Sequence, residues 1–329
     1  MANNLIKFLT EADGFVSGQE IADKLGISRN SVWKAVNKAR KSGFEIEAVP
    51  NRGYRVVSRE DVFCEEELRD VMKTKWLGAG DNLVFMKTVD STNTECKRRS
   101  ENGAGNGLLV ITDSQTSGKG RRGREWKTPE GTNVAMSYLL KPDFIPDIAP
   151  MLTLVMAMAA AKGIAEVTGL DVKIKWPNDI VINGKKVVGI LTEMALEEDT
   201  ISYVIIGTGI NVNTTEFPEE ISKTATSLYI EAGNKKISRA KIAAASALAF
   251  EEYYAKFQET EDLSALEDEY NAICVNVGRR VRVLDPKGEY EADSKGINSK
   301  GELMVTKDDG TSVNVYAGEV SVRGVYGYT

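Results

Sequence analysis

The sequence predicts an α+β chain of several domains: a basic helical module with a hairpin wing, a mixed α/β body and an all-β tail. Three observations carry that expectation. Three amphipathic helical patterns follow one another closely before Gly43. From Phe63 to about Asn276 helical and extended patterns alternate. From Val277 onward short apolar runs are separated by Asp, Gly and Pro turns. A chain of 329 residues has room for roughly two or three domains, and the expected boundaries are 1–60, 61–276 and 277–329.

Composition removes several chemistries. With no histidine in the chain, Ser-His-Asp and Cys-His catalysis and every histidine-ligated metal are excluded. Cys64, Cys96 and Cys274 are too scattered for a CxxC pair or a four-sulfur zinc site, and each reads as a lone buried thiol. Catalysis is left to Lys, Arg, Asp, Glu, hydroxyls and backbone amides, with Mg²⁺ as the available metal; no metal site made by the protein is expected. The apolar run from Ile148 to Ala161 is too short to span a bilayer and reads as a core helix. The N-terminal stretch reaches Glu11 before a signal-peptide core develops, so a cytoplasmic protein without membrane attachment is expected.

Charge separates the first module from the rest. Residues 1–59 hold ten Lys/Arg against six Asp/Glu, a net of +4; the whole chain is at −6, so the remainder carries −10. Within the module, Asn3-Asn4 opens the first helix. Ser17 caps a second that ends at Gly26, and Ser28 caps a third that stops at Gly43. "LGIS" is the tight corner of a helix-turn-helix, and FEIEAVPNRGYRVV, bent at Asn51-Arg52-Gly53, is a wing. The outer face of the third helix offers Ser28, Arg29, Asn30, Ser31, Lys34, Asn37, Lys38 and Lys41, types that reach phosphates and base edges. Arg52 at the wing tip suits a minor groove or phosphate. A merely solvated basic face is the alternative; the helix order, the wing and the +4 balance favour DNA.

A polar stretch at Ser58-Arg59-Glu60-Asp61 marks the change of character. LVFMKTVDSTN reads as a strand running into a helix, with Thr92 and Glu95 at capping-box spacing. Ser91, Thr92 and Asn93 therefore stand at a junction where they either cap the helix or meet a small polar group. GLLVITDSQ is a buried strand. VKIKWPNDIVINGKKVVGILTEM reads as a strand, a bend at Trp176-Pro177-Asn178-Asp179 and a hairpin turned by Asn183-Gly184. Period-two alternation puts Lys186, Val188 and Ile190 on one face and Lys185 on the other, so one of the two lysines faces inward or toward a cleft. ISYVIIGTGINVN is an apolar strand whose Gly207 and Gly209 permit close approach to its backbone. Helices from Ser238 through Phe257 and from Leu263 to about Cys274 follow.

The strand GLLVITDSQ delivers the chain into TSGKGRRGREWK. Gly118, Gly120 and Gly123 free this backbone to turn its N–H groups toward one point. Lys119, Arg121, Arg122, Arg124 and Lys127 against Glu125 give a local +4. The pattern is neither a P-loop nor a Rossmann fingerprint. It reads either as a flexible loop repelled by its own charge or as a segment that a polyphosphate orders. Trp126 would then lie over a purine while the arginines hold its phosphates. In the tail, VRVLDPKGEY, GINSKGELMVTKDDGTSVNVY and EVSVRGVYG are short strands broken at Asp285-Pro286-Lys287-Gly288 and Asp308-Asp309-Gly310, which predicts a small SH3-like barrel.

Taken together, DSTN, GKGRRGREW, KWPNDIVINGKKVVGI and IGTGINVN behind a winged helix-turn-helix resemble the bacterial bifunctional biotin–protein ligases that also repress the biotin operon. The resemblance covers essentially the whole chain. It implies a central domain of class II synthetase-like fold and a two-step reaction. Biotin and ATP, with Mg²⁺, give biotinyl-5′-AMP; a lysine of the biotin carboxyl carrier protein then takes the biotin. It also implies a homodimer that binds operator DNA with the adenylate as corepressor, and no tightly bound prosthetic group. By position, Ser91, Thr92, Asn93 and Gln115 resemble biotin contacts. Gly118, Lys119, Gly120, Arg121 and Arg122 belong to the loop that closes over biotin and the adenylate. Trp126 resembles the residue beside the adenine, and Lys186 the lysine at the reacting carboxyl and phosphate. Gly189, Gly207 and Asn211 line the same cleft, and Arg323 resembles a residue near the nucleotide. Lys186 and Arg121 are the expected catalytic cations. Lys119 stands where the family often has arginine and loses the planar fork.

Two other functions are compatible with the residues: a ligand-sensing transcription factor without chemistry, and a ligase or acyltransferase for lipoate or octanoate. The loop and the KWPND segment favour biotin. The carrier's Ala-Met-Lys-Met acceptor pattern does not occur, so the chain is expected to modify rather than receive.

Overall fold

The computed structural model of the chain describes all residues except 1, 13, 42–43, 59–60, 286–287, 317–320 and 325–327. Helices α1 (Ala2–Glu11), α2 (Gly18–Leu25) and α3 (Arg29–Lys41) precede the antiparallel hairpin β1 (Glu45–Val49) and β2 (Gly53–Ser58). Local chemistry sets the ends. Ser17 Oγ accepts from Glu20 N–H and Ser28 Oγ from Ser31 N–H, satisfying amides that a helix start leaves without partners. Gly26 closes α2 in the left-handed region at φ 63°. The expected stop of the third helix at Gly43 lies outside the described residues. Leu5, Leu9, Ile21, Val32, Val36 and Ile46 form a buried cluster of their own, so this unit holds a separate small core.

The second unit runs through α4 (Glu65–Val71), β3 (Leu83–Val89), α5 (Thr92–Glu101), β4 (Leu108–Gln115), β5 (Val134–Leu140), α6 (Leu152–Thr168), β6 (Lys173–Lys175), β7 (Asp179–Ile182), β8 (Lys185–Glu197) and β9 (Thr200–Ile210). It then continues through α7 (Glu219–Ser222), α8 (Leu228–Glu231), α9 (Arg239–Thr260) and α10 (Glu267–Ile273). Its strands make one seven-stranded sheet in the order β3-β4-β5-β9-β8-β7-β6. The β3–β4 pair is parallel and the other neighbours are antiparallel. Helices α6 and α9 pack together, and Met156, Ala160, Phe250 and Phe257 are buried in one core with Met136 and Ile206 of the sheet. On the opposite face α5 buries Cys96 against Val110, Leu139 and Ile205.

The apolar helical segment is longer than the run from Ile148 to Ala161 suggests. Pro146–Thr168 is long and apolar enough to cross a membrane by length and composition, yet it is mostly buried within this core. The polar stretch at 58–61 ends in a buried carboxylate rather than a solvated one. Asp61 is 5% exposed and takes Arg239 Nε and Asn213 Nδ2 as donors. All three cysteines are buried, and burial pushes the thiols of Cys64 and Cys274 up to about 11, so they stay protonated.

The tail folds as β10 (Arg280–Leu284), β11 (Tyr290–Ile297), β12 (Leu303–Thr306), β13 (Ser312–Val315) and β14 (Ser321–Gly324), antiparallel in the order β13-β12-β11-β10-β14. Among the described residues β13 and β14 remain the outer strands, so no hydrogen-bonded ladder closes the expected barrel. The turn at Asp308-Asp309-Gly310 is present, with Gly310 N–H donating to Lys307 O; Pro286 and Lys287 of the other turn lie outside the described residues. Trp176, buried in the body, donates its Nε1–H to Gly301 O at 3.0 Å and so docks the tail on the KWPND segment.

Candidate active site

The start of α5 forms the polar end of a cleft. Ser91 stands at the N-cap but makes no side-chain cap bond, and the expected pairing of Thr92 with Glu95 is not formed. Glu95 instead binds Arg98 and Arg99. The physical reason is a competing partner from the sheet. Strand β5 brings Ser137 under the helix start, where its Oγ lies 2.7 Å from Thr92 Oγ1 and donates to Asn93 Oδ1 at 2.6 Å. Gln115, at the end of β4, accepts from Thr92 N–H at 2.9 Å and Thr92 Oγ1 at 3.2 Å; its amide nitrogen donates to Thr128 Oγ1. Asn93 donates to Glu193 Oε2 and lies against Gly207, whose absent Cβ would sit 2.2 Å from Asn93 Oδ1. Ser91, Thr92 and Asn93 are buried, so these groups face one another and not bulk water.

The basic glycine loop is folded down on the sheet. Trp126 N–H donates to Gly118 O, Gly120 N–H to Arg124 O, and Lys119 bridges Glu125 across the loop. These bonds give the loop a backbone framework. Arg122 takes the left-handed conformation at φ 57°, which turns the chain at its tip. Arg121 reaches inward and donates to Asn178 Oδ1 at 2.8 Å. Burial draws the Arg121 pKa below the usual guanidinium value, opposed by the nearby Asp179 charge. The Trp126 indole packs against glycine: a Cβ on Gly209 would come within 2.3 Å of Trp126 Nε1, and one on Gly189 within 2.9 Å of Trp126 Cζ3.

Strand β8 supplies the second inward cation, by a route that simple alternation misses. Its register against β7 shifts between Ile180 and Val181, so that Lys186 faces Val181 while Val188 faces Ile180. That bulge places Lys186 on the face of Gly189, not on the face of Val188 and Ile190 as period two predicts. Lys186 Nζ pairs with Asp179 Oδ1 and stands 5.5 Å above the Trp126 ring. Lys185 is exposed.

A single cleft joins these groups. Ser91, Thr92, Asn93, Gln115, Lys119, Gly120, Arg121, Trp126, Lys186, Gly189 and Gly207 all line it. Gly118 is buried beside it under the Trp126 carbonyl. Arg122 is exposed at the loop tip. Asn211 does not line the cleft; it is held in a buried amide cluster, donating to Thr226 O and accepting from Asn133 Nδ2. Arg323 pairs through its backbone with Arg282 in the tail sheet, and its side chain lies outside the described residues. Sequence reasoning passed over Ser137. The signal was there: a serine inside the apolar strand VAMSYLL, fully buried and with a hydroxyl in need of a partner. It also left Asn178 without a role, because only the fold sets Arg121 opposite it.

On α3 the side chains of Arg29, Asn30, Lys34 and Lys38 are exposed, with Ser31 and Asn37 half-buried. Ser28 is occupied by its cap. Trp33 is exposed among them, a residue absent from the expected face. Arg52 at the wing lies over the Phe15 ring at 4.5 Å, and the Lys41 side chain is outside the described residues.

Known proteins match each unit. The profile of the Biotin/lipoate A/B protein ligase family matches residues 85–211, that of an HTH domain residues 2–55, and that of the Biotin protein ligase C terminal domain residues 277–323. The chain is 38% identical over 325 residues to the bifunctional ligase/repressor BirA of Bacillus subtilis, covering 98% of both chains. It is 27% identical over 321 residues to the protein of that name in Escherichia coli, covering 97% of this chain and 96% of the other. Among solved structures, the biotin protein ligase of Aquifex aeolicus in complex with biotin and ATP superposes with a TM-score of 0.64 at 32% identity, over 73% of this chain and 98% of that one. The chain belongs to the bifunctional ligase/repressor family of biotin protein ligases.

Proposed function

We propose that this protein activates biotin with ATP to biotinyl-5′-AMP, transfers the biotin to a lysine of the biotin carboxyl carrier protein, and represses transcription with the adenylate as corepressor. One observation carries the reading: two inward cations, Lys186 and Arg121, meet at a glycine-floored cleft whose other end is a buried cluster of hydroxyls and amides. That is a site for a polar head at one end and a polyphosphate at the other. In the first step a biotin carboxylate oxygen bonds to the α-phosphorus, and the bond to the departing pyrophosphate breaks. Anions meet, so the requirement is fixed positive charge where further negative charge develops. Lys186 and Arg121 meet it, and no protein nucleophile is called for. Magnesium enters with ATP as substrate. In the second step the carrier amine bonds to the acyl carbon, AMP leaves, and the amine gives up a proton.

Ser91, Thr92, Asn93 and Gln115 then hold the biotin head, Trp126 the adenine, and the loop shields the anhydride. We read the chain as three domains, 1–60, 61–276 and 277–329, the second class II synthetase-like and the third SH3-like. A cytoplasmic homodimer on operator DNA is the repressing form, with α3 against the duplex. Lys186→Ala decides the catalytic part. Pyrophosphate release from biotin and MgATP should fall by roughly 10²-fold or more; near-normal release removes Lys186 from the mechanism. Wild-type protein that releases no pyrophosphate is a sensor, and release faster with lipoate or octanoate makes it their ligase.

A further inference from the structure

We propose that Tyr328 is a positioning residue for adenylation, holding Asp179 so that Lys186 can leave it for the substrate phosphate. The proposal rests on the assignment of Lys186 above. Tyr328 follows the last strand of the tail, far along the chain from the cleft, yet its hydroxyl donates to Asp179 Oδ2 at 2.5 Å. The other oxygen of the same carboxylate holds Lys186 Nζ. The Tyr328 ring lies beneath the Lys175 ammonium, with Nζ 3.5 Å from the ring centroid, and Lys175 is buried. Lys175 and Asp179 face each other across the β6–β7 pair. The tyrosine therefore spans both charged residues of the turn whose Asn178 accepts Arg121.

The arrangement has a mechanical consequence. The Asp179 and Lys186 side chains are 16% and 26% exposed, where an ion pair holds more strongly than in open water. Lys186 must loosen that pair to meet the charge growing on the transferred phosphate. A carboxylate left behind without a partner would oppose the movement. The phenol is neutral, keeps its hydrogen bond whether or not Lys186 stays, and so lowers the cost of departure. Without the hydroxyl, Asp179 draws on Lys186 more strongly and the lysine is held back.

Tyr328→Phe keeps the ring over Lys175 and removes the bond to Asp179. In the full chain, single-turnover pyrophosphate release should slow by about tenfold, since a hydrogen bond to a charged group is involved. The biotin KM should stay within about twofold and the Tm should not change. In an Asp179→Asn background, where the lysine is no longer held by charge, adding Tyr328→Phe should slow release no further. Normal release by Tyr328→Phe overturns the proposal. So does slowing that comes with a raised biotin KM or a lowered Tm, which marks a mere anchor for the tail, or an undiminished tenfold loss in the asparagine background. Lys186→Ala in the same assay keeps the two failures apart: normal release there sinks the underlying reading, whereas an inactive Lys186→Ala beside a normal Tyr328→Phe sinks only this proposal.

Discussion

Gly209 has no side chain because an indole occupies the place of one. Its backbone lies in ordinary extended conformation, so alanine meets no backbone strain there; the obstacle is Trp126, 2.3 Å from the would-be Cβ. Gly209→Ala should leave the sheet folded but lift Trp126 off its floor, and with it the loop that Trp126 anchors. The expected result is a biotinyl-adenylate off-rate at least tenfold higher with thermal stability nearly unchanged; an unaltered off-rate would show that Trp126 does not seat the nucleotide. Arg121→Gly tests the same closure from the other side. It removes the bond to Asn178 as well as a cation, and early release of the adenylate is again expected, measured by retention after gel filtration.

Helix α3 shows what a single element decides. Its buried stripe of Val32, Ala35, Val36 and Ala39 fixes which side turns outward, and that side carries Arg29, Asn30, Lys34 and Lys38. A lysine such as Lys34 meets phosphate as a point charge and carries no sequence information. Lys34→Ala should therefore weaken operator and random duplex alike and reduce the slope of log affinity against log salt by about 1. A loss confined to the operator would assign Lys34 to a base edge instead. Strand β8 gives the complementary lesson, since one extra residue in its ladder moves Lys186 onto the face of the cleft.

Across the whole molecule, a buried ion network ties the start of the second unit to its sheet. Arg239, at the first turn of α9, lies between Asp61 and Asp113, with side-chain exposures of 6%, 2% and 1%. Asp113 also accepts from Gly131 N–H and pairs with Lys87. Replacing Arg239 with Met takes the cation from buried Asp61 and leaves Asp113 with Lys87 alone, and a loss of about 3–5 kcal/mol is expected in denaturant titration; a loss below about 1 kcal/mol would show the carboxylates to be protonated or hydrated. Burial pushes the Asp113 carboxyl up, but Lys87, Arg239 and the Gly131 amide together hold it below its ordinary value of 3.8. A depressed folded pKa contributes stability above the unfolded value and loses it as pH falls through the folded one. Stability should thus drop below about pH 4, and the drop should be shallower in Asp113→Asn.

The sequence by itself determined the capped helices, the hairpin at Asn183-Gly184, the floor glycines and the basic loop, because each depends on neighbours within a turn or on a fixed period. Capping, left-handed turns and close approach are short-range effects, legible in a few consecutive residues. The tertiary structure decided the partners. Ser137 meets Thr92 across 45 residues, Arg121 meets Asn178 across 57, and Tyr328 meets Asp179 across 149. It alone buried Asp61, aimed Lys186 and drew Asn211 away from the cleft. The reason is that a side chain's partner depends on which strands lie side by side, and strand order follows from the burial of the whole sheet rather than from any local rule.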